Sequence, residues 1–406
     1  MYKVIFIILA FHFSLSVCGQ KTRTIKEKRA GKQVVEKFDV LRSDEKIRHG
    51  DYEMFFNRIS IVRGQYQNGK RHGYWQFGTV SDSVYCFGHY VNGKKDSSWT
   101  YFYLNETASQ LEFSKGRIKN VSAFYPDNRS SYEAFFDSSG TGKVTSFYNN
   151  GNTREVIPVV EYHIHGIAKA YHFNGQLFQK IEYHRGTPVN VLTRLDADGV
   201  ELTETELKKG TGIHQLYYVN TDNEQIIAKI IHYRDSLKDG KYVEFNKKGD
   251  IKTLGQYKKG VKSGIWTYYN VNGSRERNFT DEPEEHHIPS HQNDNHYYAI
   301  FDAHHKDVRK AKFPGGDVAL MRFLSNTIQF PNEARKSKSA GICLTSFDVS
   351  PTGEIYNGRA LETPHPSLSR VAVNSVLSMP NWQPALVFGV PVVMQFNIPI
   401  KFTLVN

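Results

Sequence analysis

The chain has 406 residues, is 39% hydrophobic and 13% aromatic, and carries a formal charge of +11 at pH 7. That length exceeds one ordinary core and predicts two or three domains, the apolar content excludes general disorder, and the aromatic surplus favours strands over helices. The basic balance suits an acidic partner such as anionic lipid, lipopolysaccharide or nucleic acid, or reflects a solvated Lys/Arg surface.

Met1-Tyr2-Lys3 is a short basic start, and Val4 to Val17 is an apolar run broken by His12 and two serines. The run is too short to span a bilayer comfortably and ends in small residues. Residues 1–19 read as a signal peptide, with cleavage before Gln20 and a periplasmic mature chain. Leu15-Ser16-Val17-Cys18 is a poor lipobox, because Val17 stands where a smaller residue is usual, so a lipid anchor at Cys18 is the lesser expectation. Cys86 and Cys343 are far apart, form no disulfide framework, and are expected to be small buried hydrophobes.

After a lead over residues 20–34, residues 35–280 repeat with a steady period. Gly64-Gln65-Tyr66-Gln67-Asn68-Gly69, ending in Gly73-Tyr74-Trp75, returns as Gly88-His89-Tyr90-Val91-Asn92-Gly93, ending in Ser98-Trp99. It returns again as Gly255-Gln256-Tyr257-Lys258-Lys259-Gly260, ending in Gly264-Ile265-Trp266. Trp75 to Trp99 is 24 positions, as are Gly151 to Gly175 and Gly240 to Gly264. Aromatic-rich stretches predict strands, and Asn-Gly or Lys-Gly steps supply the positive φ of tight hairpins. Each unit is then one hairpin, too small to bury its own aromatic face, and stacking predicts an elongated sheet or β-solenoid with a continuous aromatic stripe. Trp75, Trp99 and Trp266 are expected at equivalent buried sites. The pattern resembles the MORN repeat in a bacterial variant form, with the clearest matches near Gly50, Gly73, Trp99, Gly166, Gly240 and Gly264. That family implies a scaffold or binding surface and no chemistry.

Residues 281–312 change composition: an acidic start at Asp281-Glu282-Pro283-Glu284-Glu285, then His286, His287, His291, His296, His304 and His305. This reads as a linker. Clustered imidazoles are also metal ligands, but these lack the fixed spacing of a structural zinc site, so no metal or other cofactor is expected.

Residues 313–406 predict a small α+β domain. Ala319, Leu320, Phe323, Leu324 and Ile328 recur at helical spacing, and Asn332 to Lys338 forms a short helix after Pro331. A hairpin follows, from Ile342 through the Pro351-Thr352-Gly353 turn to Leu361, then a helix from Pro366 to Leu377. Pro391 to Leu404 reads as a long final strand at an edge of a three-stranded antiparallel sheet. The string resembles the TonB C-terminal domain. The residues that carry the resemblance are Phe313-Pro314-Gly315-Gly316, Phe330-Pro331-x-x-Ala334, Gly341, Gly353, His365-Pro366, Met379-Pro380-x-Trp382-x-Pro384 and Pro391. The resemblance implies an envelope protein that receives an extended peptide of an outer-membrane TonB-dependent transporter, and carries that role to Val393, Met394, Gln395, Phe396 and Asn397. The loop before the last strand, Ala385-Leu386-Val387-Phe388-Gly389, departs from the family in being apolar.

No His-Glu-x-x-His helix, phosphate loop or Gly-x-Ser-x-Gly elbow occurs, so an enzyme is not expected. The leading expectation is strand addition of an envelope partner to the C-terminal domain. The alternative makes the repeats the working surface for protein, glycan or lipid, with the C-terminal domain as an attachment module. Nucleic acid is not expected for an exported chain, and contact with an anionic membrane surface would be weak.

Overall fold

The computed structural model describes residues 20–404 apart from 30–32, 79–83, 104–105, 203–206, 247, 271–272, 280–307 and 388. The signal-peptide reading and the histidine cluster therefore lie outside the described residues. Among the described residues, no helix is long and apolar enough to cross a membrane.

The repeats form a meander in which strands pair antiparallel with their sequence neighbours within each sheet, except that the two-residue strand His163–Ile164 pairs only with Thr153–Val160, which pairs past it with Gly166–Tyr171. The first sheet has 16 strands, from Thr22–Arg29 to Thr187–Arg194. The 20–34 lead is thus not a separate segment, because Thr22–Arg29 pairs along its whole length with Val34–Leu41. A second sheet of six strands runs from Gly212–Val219 to Gly273–Phe279. The second sheet is held to the end of the first. Val191 N–H donates to the Leu207 carbonyl, and Arg194 donates to the Tyr217 hydroxyl and the Gln215 carbonyl.

The turn chemistry explains the meander. Asn68-Gly69, Asn92-Gly93, Lys115-Gly116, Arg185-Gly186 and Lys259-Gly260 all sit at positive φ, as a two-residue hairpin turn of primed type requires. At other junctions an Asp or Asn side chain shapes the turn: Asp137 Oδ1 accepts from the N–H of Ser139 and Thr141, and Asn246 Oδ1 from Lys248 and Asp250.

The three tryptophans occupy equivalent places. Trp75, Trp99 and Trp266 are 0%, 0% and 1% exposed. Each lies against the glycine 11 positions earlier (Gly64, Gly88, Gly255), where an added Cβ would collide with the indole. Each Nε1 donates at 3.1 Å to the carbonyl of the residue after that glycine. Each takes the edge of a tyrosine at 5.0–5.2 Å, and a cation four residues earlier (Arg71, Lys95, Lys262) covers the ring at 4.6 Å. The aromatic stripe is divided into two clusters rather than continuous: one along the first sheet, the other across the junction into the second.

The C-terminal domain has a three-stranded antiparallel sheet with Gly341–Val349 at its centre, flanked by Ile355–Glu362 and Met394–Phe402. Helix α1 (Gly316–Thr327) and the short helix α2 (Asn332–Lys336) precede it, and α3 (Pro366–Leu377) packs on the sheet through Leu368, Ala372 and Val376. Two boundaries differ from the sequence reading. Residues 308–312 belong to the domain rather than to a linker: Val308–Arg309 pairs with Ala385–Val387, Ala311 is buried, and Lys312 bridges Gln383. The long final strand is two strands, Val390–Val392 and Met394–Phe402, which pair in different sheets and part at Val393.

The domain does not hang free. It is packed on the aromatic face of the first repeat sheet, and one hydrophobic cluster runs from Val34 in the repeats to Phe402 in the domain.

Candidate functional site

Phe330 packs edge-on against Phe402 at 6.1 Å, and Pro331 precedes α2 in extended conformation. Gly341 and Gly353 have φ of +142° and +81°; a Cβ at Gly353 would strike the Trp382 carbonyl. His365 caps α3, its ring nitrogen accepting from Ser367 N–H, and Pro366 fills the first helical position, where a missing N–H costs nothing. Pro380, Trp382, Pro384 and Pro391 are buried. The family-motif residues therefore build the fold; the surface open to a partner lies on the neighbouring strand.

That surface is the outer edge of Met394–Phe402. The strand pairs with Gly341–Val349 on one side and, among the described residues, with no strand on the other. Met394, Phe396 and Ile398 turn toward the core and are half-buried; Phe396 stacks on Phe347 at 5.9 Å and leans on Trp382 at 5.1 Å. Gln395, Asn397, Pro399 and Lys401 are exposed. Hydrogen bonds alternate along an antiparallel pair, and Pro399, which has no N–H, belongs at a non-bonded position. Gln395, Asn397 and Lys401 share its parity, which turns their main-chain groups to the open edge. Val393 sits at the break between two strands and is not part of this edge. Unpaired main-chain groups on a strand edge are a template for an incoming strand, whereas Pro399 and Lys401 blunt the far end. The usable stretch is thus Met394 to Ile398.

Sequence reasoning missed the joint between domain and repeats. Phe313, the first residue of the Phe-Pro-Gly-Gly motif, packs edge-on against Phe56 of the repeats at 5.5 Å. The Tyr85 hydroxyl donates to the Thr352 carbonyl at 3.0 Å in a buried bond, and Asn381 Nδ2 donates to the same carbonyl. Arg71, which covers Trp75, also forms an ion pair with Glu354. Burial alone would raise the Glu354 pKa, but the Arg71 guanidinium, a hydrogen bond from Thr352 and the nearby Lys95 outweigh it and hold the carboxyl below its usual value. Gly389 lies so close to the Ala108 carbonyl and the Ala123 methyl that a Cβ would clash. One signal was available: the apolar 385–389 loop, read as a departure from the family, places Ala385, Leu386, Val387 and Gly389 in buried positions, with Gly389 against the repeats.

Cys86 and Cys343 are both buried and free, as their sequence context implied; burial pushes the Cys86 thiol up, away from the thiolate. Among the described residues no group of His, Cys, Asp and Glu is placed to hold a metal ion.

Residues 326–404 match the family model described as the Gram-negative bacterial TonB protein C-terminal. None of the curated proteins matches the chain. Among solved structures, the S. aureus TarM G117R mutant in complex with Fondaparinux, alpha-GlcNAc-glycerol and UDP is 15% identical with a TM-score of 0.15, over 38% of this chain and 21% of that one. The crystal structure of TarM is 15% identical with a TM-score of 0.14, over 31% and 19%. The chain thus spans about a fifth of those proteins, and likeness at that level carries no argument about fold or activity.

Proposed function

We propose that this is a non-enzymatic binding protein of the Gram-negative envelope, exported to the periplasm, whose C-terminal domain takes an extended segment of an outer-membrane transporter or another envelope protein as an added strand along Met394–Ile398. The observation that carries the reading is the open edge of Met394–Phe402, in a segment that matches the TonB C-terminal family model. Main-chain hydrogen bonds at such an edge supply affinity, and alternate side chains supply specificity. The repeats, related in pattern to MORN units, act as the platform on which the domain is seated. Because the domain shares its core with that platform, a strand bound at the edge would be held against a rigid body rather than a tether.

Gln395→Pro tests this. It removes one outward-facing donor at an exposed position of the same parity as the natural Pro399. The variant is expected to unfold at the wild-type temperature and to lose capture of its transporter from solubilised outer membranes. Undiminished capture by the folded variant would move the site to the repeats, which is the alternative function.

A further inference from the structure

The repeat sheet has a second face, opposite the one that packs on the C-terminal domain, and among the described residues Tyr74 and Phe135 stand exposed on it. Strand register sets a row of side chains across that face, which steps from Asp96 to Ser98 within one strand where the register shifts. Tyr74 pairs with His89, and His89 with Asp96; the next strand pair sets Ser98 beside Glu112, Glu112 beside Asn120, and Asn120 beside Phe135. The two ends of the row are exposed rings: Tyr74 is 47% and Phe135 64% exposed. They are five strand steps apart, about 24 Å at about 4.8 Å per step. Between them the row is polar, and Asn120 Nδ2 is hydrogen-bonded to Glu112. Glu112, Asn120, Glu133, Phe135 and Lys143 line one cleft there, of about 390 Å³.

We propose that this row is a binding track for a glycan strand. An exposed ring offers a flat, electron-rich face to the C–H groups of a sugar ring; Phe135 does so beside polar neighbours and Tyr74 beside Phe87 and His89, and two such rings at the ends of a track fit a polymer rather than a small molecule. The amide and carboxylate groups between them accept from and donate to hydroxyls, which bring both halves of the hydrogen bond. A peptide strand is disfavoured, because the sheet interior has its main-chain groups already paired and offers a face, not an edge. Anionic lipid and nucleic acid are disfavoured too: Asp96, Glu112 and Glu133 stand on or beside the row, against Lys143 at one end. This inference deepens the alternative function of the repeats and is independent of the strand edge at Met394–Ile398.

Sedimentation with purified peptidoglycan sacculi, and titration with soluble chito-oligosaccharide, test it on the full mature chain. Wild type is expected to pellet with sacculi, and Phe135→Ala to bind about tenfold more weakly, equal to about 1.4 kcal/mol. Tyr74→Ala should weaken binding to sacculi but leave short oligosaccharides, which cannot reach both rings, unaffected at the Phe135 end. Phe135 is exposed, so its variant should melt as wild type does. Gln395→Pro should pellet normally, which separates this site from the strand edge. The proposal is overturned if wild type binds neither probe, if Phe135→Ala binds both as wild type does, or if the chain binds anionic vesicles and no glycan.

Discussion

Replacing Trp99 by alanine is the sharpest test of the repeat architecture. The indole is fully buried. It sits between Tyr90 at 5.0 Å, Phe77 at 6.2 Å and Tyr101 at 6.3 Å, under the Lys95 ammonium at 4.6 Å, with its N–H on the His89 carbonyl at 3.1 Å. Truncation removes the transfer free energy of the ring and leaves a cavity that the surrounding sheet can close only in part. A loss of about 3–5 kcal/mol is expected on that ground alone. Lys95 is 6% exposed and is hydrogen-bonded to the Tyr101 hydroxyl, so uncovering the ammonium adds to the cost. The assay is urea unfolding followed by tryptophan fluorescence, in which Trp75 and Trp382 report the first cluster and Trp266 the second. Because Trp99 shares one cluster with Trp382 and not with Trp266, the Trp382 transition should move with the mutation while the Trp266 transition moves less. An unchanged unfolding midpoint would refute the equivalence of the repeats; a Trp382 transition that stayed in place would refute the shared core.

In a double-mutant cycle, Arg71→Ala and Glu354→Ala should show a coupling of about 0.5–1 kcal/mol, kept small because the pair is partly open to solvent. That coupling should be complete above the ordinary carboxylate value of 4.5 and vanish as pH falls through the lower value Glu354 has in the folded protein, and equal coupling at pH 2 and pH 7 would contradict the ion pair. His214 is 2% exposed, neither ring nitrogen has a hydrogen-bond partner among the described residues, and burial, with Arg194 nearby, pushes its pKa down from 6.5 to about 4. The unfolded chain therefore binds the extra proton between those values, so stability is complete above pH 6.5 and falls by about 3 kcal/mol as pH drops to 4. His214→Leu should flatten that part of the pH–stability profile, and an unaltered slope would mean that His214 is not the group responsible. The losses expected for Gln395→Pro and Phe135→Ala are read by capture and sedimentation as described above.

What the chain encodes locally could be read from it directly. The turn at Asn68-Gly69 needs only its own two residues, because glycine takes left-handed backbone freely and asparagine tolerates it well, and the Trp75, Trp99 and Trp266 places follow from the Gly-x-Tyr step that recurs 11 positions before each. Helix α3 was legible to the residue from the apolar spacing of Leu368, Ala372 and Val376, which fixes its buried side, whereas the cap at His365 came from the structure. The open edge was legible too, apart from Val393, because the alternation of Met394, Phe396 and Ile398 assigns one face to the core. The tertiary structure alone decided where the C-terminal domain sits. Arg71 and Glu354 are 283 positions apart, and neither a basic residue in a repeat nor a glutamate after a turn announces its partner. It also decided the break at Val393: Val390–Val392 is buried throughout and pairs with Ala385–Val387, whereas Met394–Phe402 alternates and pairs with Gly341–Val349. Periodicity and turn chemistry act over a few residues and leave a trace in composition; packing between distant surfaces depends on shape and burial that exist only once both surfaces have formed.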